Sequence, residues 1–135
     1  MANQYLHPDV FDDGLKTISD NATMKLVVCA GVPASRQEAV DAVGTGSGKR
    51  VSSIIDLPAS DATLGNATGG RKVTIASKSG TVAVEVAAAT DQLVVIYDDT
   101  RILAINDETK NQALTADNPI VIPAFDIPIT VVQPE

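Results

Sequence analysis

The stretch Gln92-Leu93-Val94-Val95-Ile96-Tyr97-Asp98-Asp99-Thr100-Arg101-Ile102-Leu103-Ala104-Ile105-Asn106 decides the fold. Side chains alternate across an extended chain, so Leu93, Val95 and Tyr97 share one face. Asp98-Asp99-Thr100 has the chemistry of a tight turn, and residues 101–105 return with apolar side chains on both faces. The reading is a β-hairpin whose returning strand is central in a sheet.

Downstream the pattern changes phase. Ile120 and Ile122 share one parity, whereas Phe125, Ile127, Ile129 and Val131 take the other, with Pro123 at the switch. A bulge or bend there restores a single inward face. Pro128 removes a ladder donor, which places this part at a sheet edge or in a terminal arm reaching a neighbour.

Upstream, residues 72–77 alternate around Val73 and Ile75, and residues 81–87 place Val82, Val84 and Val86 on one face. Lys78-Ser79-Gly80 reads as the turn joining them into a second hairpin. Residues 59–70 carry Gly65, Gly69 and Gly70 among Ala, Ser, Thr and Asn, the composition of a long loop. Residues 24–30 form an apolar run closed by Gly31 and Pro33, and residues 51–57 form another that Pro58 ends. Between these two lie helix-forming residues 36–43 and a Gly44-Thr45-Gly46-Ser47-Gly48 segment expected to be a flexible loop. Near the start, Pro8 and the acids Asp9, Asp12 and Asp13 favour a short helix over residues 8–19, with Phe11, Leu15 and Ile18 as its apolar stripe and Gly14 in its middle. Residues 1–7 read as an extended arm. The expected fold is mainly β: a β-sandwich or small barrel-like fold of about six or seven strands with a short N-terminal helix, in one domain spanning residues 1–135. Its C-terminal segment covers about residues 126–135.

Composition narrows the function classes. The 135 residues contain no Trp, two Phe and two Tyr, too few rings for the stacking platforms that sugars or single-stranded nucleic acids use. The net charge of −7 repels phosphate backbones and anionic headgroups, which speaks against nucleic-acid and membrane partners. That charge is uneven: residues 1–31 sum to −2, residues 32–81 to +2 and residues 82–135 to −7. A basic middle and an acidic end of neighbouring subunits could therefore attract each other. No apolar run approaches the roughly 18 residues that span a bilayer, and the N-terminus lacks a secretory pattern, so the expectation is a protein made in a cytoplasm that stays there or leaves inside a particle.

The motifs that could carry chemistry fall short of it. Gly44-Thr45-Gly46-Ser47-Gly48-Lys49-Arg50 resembles a phosphate-binding loop but has Val43 where a glycine belongs and Arg50 where the magnesium-holding hydroxyl belongs. His7 is the single histidine and Cys29 the single cysteine, the latter in an apolar setting that makes it a buried hydrophobe. Neither a two-histidine metal site nor a Ser-His-Asp or Cys-His nucleophile can be assembled, so the chain reads as a non-enzyme without a cofactor. Asp12-Asp13, Asp98-Asp99 and Asp107-Glu108 read as turn and helix-start acids rather than general acid/base or calcium pairs.

Five short phrases, taken in order, carry a resemblance: Asp12-Asp13-Gly14-Leu15-Lys16-Thr17-Ile18, Val28-Cys29-Ala30-Gly31-Val32-Pro33, Gly70-Arg71-Lys72-Val73, Asp98-Asp99-Thr100-Arg101-Ile102-Leu103-Ala104 and Ile122-Pro123-Ala124-Phe125-Asp126-Ile127-Pro128-Ile129. The chain resembles small β-rich structural proteins encoded among the head and tail genes of tailed bacteriophages. Residues 34–69 depart from that pattern. The resemblance implies a capsid decoration or cement protein in the virion, made in the host bacterial cytoplasm, partnered by the major capsid protein and assembled as a trimer or other closed homo-oligomeric ring. A tail or head-to-tail connector component is the alternative within that group, and a receptor- or carbohydrate-binding β-domain the alternative outside it. The candidate assembly contacts are Tyr5, Leu6 and His7 of the arm, Lys49, Arg50, Arg71 and Lys72 of the basic middle, and Ile129 and Val131 near the end.

Overall fold

The computed structural model describes residues 5–6, 14–67, 70–88, 90–107 and 112–130. Its strands are β1 (Tyr5–Leu6), β2 (Lys25–Cys29), β3 (Ile55–Asp56), β4 (Ala62–Ala67), β5 (Gly70–Ile75), β6 (Lys78–Thr81), β7 (Leu93–Tyr97), β8 (Ile102–Asn106), β9 (Pro119–Ile122) and β10 (Phe125–Thr130). Two short helices, α1 (Lys16–Ser19) and α2 (Arg36–Asp41), accompany them. The strands form antiparallel sheets of five, three and two strands, in the orders β1-β8-β7-β2-β3, β10-β5-β4 and β6-β9. The fold is mainly β with a short N-terminal helix, and its sheets do not close into a barrel.

The five-stranded sheet explains the uninterrupted apolar runs. Leu26 and Val28 of β2 and Val94 and Ile96 of β7 enter the large core with Val73, Ile75, Ile122, Phe125 and Ile127 of the smaller sheets. The opposite parity, Val27 and Cys29 of β2 with Leu93, Val95 and Tyr97 of β7, packs under Ala39 and Val40 of α2. With both faces covered, polar positions in these strands would be buried without partners, so alternation disappears. The expected β7–β8 hairpin forms, and β8 is an interior strand, but β7 is the central one. A register shift at Ile96/Tyr97 leaves Leu103 as the extra residue of a bulge. That bulge lets Leu103 and Ala104 both join the large core while Ile102 and Ile105 join the other face.

β5 and β6 run against β10 and β9 as one bent ribbon. Ile75 pairs with Phe125 and Lys78 with Ile122, so the register is the same on either side of the break at residues 76–77 and 123–124. Pro123 has no N–H to give, and the Ser77 hydroxyl donates to the Ile122 carbonyl across the gap at 3.0 Å. The phase change expected at Pro123 is thus a bend that carries the chain from one sheet to the next. Beyond it, Ser52 bridges to Val82 and the Ser53 N–H donates to the Thr81 carbonyl at 2.7 Å, which stitches β6 to the segment following β2. Gly80 sits at that seam: a Cβ there would lie 2.8 Å from the Ile55 side chain and from Ser53 Oγ.

Three expectations need correction. Residues 72–77 and 81–87 do not pair with each other; β5 forms its hairpin with β4, within the stretch expected to be a loop. Lys78-Ser79-Gly80 is strand rather than turn, because β9 offers its edge there. Strands are accordingly more numerous than six or seven. Gly14 does not lie inside a helix, since its φ of +71° belongs to the left-handed region, and the helix begins at Lys16. Residues 8–13 of the expected helix lie outside the described residues. Leu15 and Ile18 are buried as expected, and residues 51–57 contribute only the short strand β3 and the Ser52 bridge.

Candidate functional site

The best-built surface feature lies where α2 meets the β7–β8 turn. Ser35 caps α2, its hydroxyl accepting from the Glu38 N–H at 3.2 Å, while Glu38 Oε1 accepts from the Ala34 N–H at 3.0 Å. This is a capping-box arrangement, and the Ser35-Arg36-Gln37-Glu38 sequence already carries its signature. The cap aims Arg36 at the hairpin: its Nε donates to the Asp98 carbonyl at 2.6 Å, and its guanidinium lies 5.2 Å from the centre of the Tyr97 ring. Burial pushes the Tyr97 phenol up, opposed by the Arg50 and Arg36 guanidiniums.

Asp98 anchors the turn from within. Its Oδ1 accepts from the N–H groups of Thr100 and Arg101 at 2.9 and 3.0 Å, and its Oδ2 accepts from the Asn21 side-chain amide at 3.1 Å. Only 6% of Asp98 is exposed. Burial would raise its carboxyl pKa, but these hydrogen bonds and the nearby Arg101 outweigh burial and hold it below the ordinary range. The expectation that Asp98 is a turn acid is met; Asp12, Asp13 and Glu108 lie outside the described residues.

The glycine-rich segment is a folded turn rather than an open loop. Gly48 has φ +85°, its N–H donates to the Ala30 carbonyl at 2.7 Å, and a Cβ on it would run into Glu38 Oε1 and lie 3.0 Å from Pro33 Cα. The backbone groups a phosphate would need are thereby spent inside the fold. Arg50 is held inward, with Nε donating to the Val40 carbonyl at 3.1 Å and Nη1 to the Ser52 carbonyl at 2.5 Å. Lys49 is exposed beside Gly44 and Gly46.

The other candidate contacts are dispersed. Arg71 and Ile129 are register partners on β5 and β10, and Lys72 lies next to them, its ammonium 3.0 Å from Asp126. The Arg71 guanidinium bonds the Asn66 side chain, and Ile129 is half-buried against the large core. Tyr5 and Leu6 pair with Ile105 and Ala104 at the far edge of the five-stranded sheet, so the arm is strand at that point. His7 and Val131 lie outside the described residues. Cys29 is buried, and burial pushes its thiol up to about 12.

Beside the α2 junction runs an open groove of about 400 Å³. Val32, Pro33, Ile102 and Ile105 give it apolar walls, and Arg36 and Arg101 give it positive charge. Asp98 Oδ2, behind the groove, is 3.4 Å from Arg101 Nε and offsets part of that charge. Sequence reading placed none of these residues in a site, because the groove joins segments nearly seventy positions apart; the exposed Val32 beside Pro33 was the one local hint. Among the described residues no group of three or more His, Cys, Asp or Glu is placed to hold a metal ion, and no helix is long and apolar enough to cross a membrane.

No family model, no curated protein and no solved structure matches the chain. Its function therefore has to be argued from the surface just described.

Proposed function

We propose that this chain is a structural protein of a tailed-bacteriophage virion, a capsid decoration or cement protein that binds the outer head shell as a closed homo-oligomer and bridges major capsid subunits. One observation carries the reading beyond the resemblance of its phrases. The first and last described strands, β1 and β10, occupy outer edges of two different sheets, while the strands between them are enclosed in the core. A domain built that way offers its neighbours edges, turns and chain ends, and strand edges are ready templates for pairing with another chain. The rigid interior, covered on both faces of the five-stranded sheet, supplies the stiffness a shell clamp needs.

Quantitative mass spectrometry of purified virions tests the proposal through copy number. Hundreds of copies per particle agree with a shell cement. A single ring's worth would move the protein to the tail or the head-to-tail connector, and its absence from purified particles would overturn the virion reading.

A further inference from the structure

We infer that the groove between α2 and the β7–β8 turn receives residues 131–135 of a second copy of this chain, so that each subunit's end is held by its neighbour. The groove suits an extended, apolar segment bearing a carboxylate. Val32, 51% exposed, stands with Ile102 and Ile105 along its walls, and Arg36 and Arg101 supply guanidinium donors in a protein whose net charge is −7. None of the residues lining it is acidic. β1 covers β8 only at Ile105 and Ala104, so the outer backbone edge of β8 at Ile102 and Leu103 has no strand beside it among the described residues.

The occupant follows from the sequence after β10. Val131-Val132-Gln133-Pro134-Glu135 continues an edge strand with two β-branched residues, is stopped by proline and ends on an acid. Val131 and Val132 match the apolar walls, and Glu135 matches the guanidiniums, for which bidentate carboxylate pairing is the preferred geometry. The partner is a neighbour rather than the same chain. β10 belongs to the layer on one face of the five-stranded sheet, whereas α2, which walls the groove, covers the other face. Five extended residues reach only about 17 Å. A groove on one copy and a tail from the next make a head-to-tail contact, which closes into a ring when the rotation permits. This inference deepens the decoration reading by naming what holds its oligomer together.

The test is the mass of the full chain in solution by sedimentation equilibrium, alongside Val32→Glu and a chain ending at Thr130. The full chain is expected to be a multiple of 14.0 kDa, with both variants falling to 14.0 kDa while keeping the circular dichroism of the parent. A second measurement covers misfolding of either variant: the Val32→Cys/Val132→Cys chain, oxidised and run without reductant, is expected to give a ladder of linked chains. Buried Cys29 does not compete. A single-chain mass for the parent, an unchanged mass for Val32→Glu, or links confined within one chain would overturn the inference. A monomer that still coats particles would overturn the tail-in-groove contact alone and leave the decoration reading standing.

Discussion

The Arg36 Nε donates to the backbone carbonyl of Asp98 across 2.6 Å, joining the first turn of α2 to the turn between β7 and β8. The two residues are sixty-two positions apart, and the bond fixes one wall of the groove against the other. Asp98 holds its side of this junction with a carboxylate that is buried and hydrogen-bonded, so its pKa lies below the ordinary value.

A depressed carboxyl pKa stabilises the fold above the unfolded-state value, about 3.9, and that contribution fades as pH falls through the folded-state value. Asp98→Asn keeps the shape but loses the charge. It is expected to cost about 1.5–3 kcal/mol at neutral pH and to flatten the acid limb below pH 4, measured by urea unfolding across pH.

Cys29 governs the alkaline side. Its thiol is raised from 9.0 to about 12, chiefly by burial, so the folded state keeps a proton that the unfolded chain releases. Stability from this group is complete below pH 9.0 and is lost as pH rises toward 12. The steepest slope is about 1.4 kcal/mol per pH unit. Cys29→Ala should remove that slope, seen as a smaller fall in urea midpoint between pH 9 and 11 than the parent shows.

Two glycines in strands should answer oppositely to alanine. Gly80→Ala places a methyl 2.8 Å from Ile55 and Ser53, where β6 crosses β3, and is expected to cost about 1–3 kcal/mol in chemical denaturation. Gly65→Ala on β4 meets nothing within 4 Å and should leave stability unchanged or slightly raised.

Arg50 was a candidate for contact with another subunit, yet both of its hydrogen-bonding arms end on carbonyls of its own chain. Arg50→Ala should therefore lower the stability of the isolated protein, by about 1–3 kcal/mol, through two carbonyls left under-satisfied. Lys49→Ala, one position away and exposed, should leave the denaturation midpoint where it is.

Local pattern made the strong elements readable. The apolar runs at β2 and β7, the acidic turn at Asp98 and the phase change at Pro123 all report forces that act within a few residues. The pairing of β4 with β5 was not readable, because Gly65 and Asn66 have weak strand preference and are held extended by partners on β5. β6 was misread for the same reason: Lys78-Ser79-Gly80 has turn composition, and only β9 makes it a strand. The groove was hidden because its walls come from both ends of the chain's middle half. The Ser35-x-x-Glu38 cap could have located one of them.

The central claim is that this protein works by contact at its edges, turns and chain ends around an enclosed sheet. Hydrogen–deuterium exchange of the free chain against the particle-bound chain tests it most directly. Protection is expected to rise on binding at β1, at the turn carrying Lys49 and along β10 and the residues after it, while β2 and β7 exchange slowly and equally in both states. Equal exchange everywhere, or new protection confined to β2 and β7, would contradict the account.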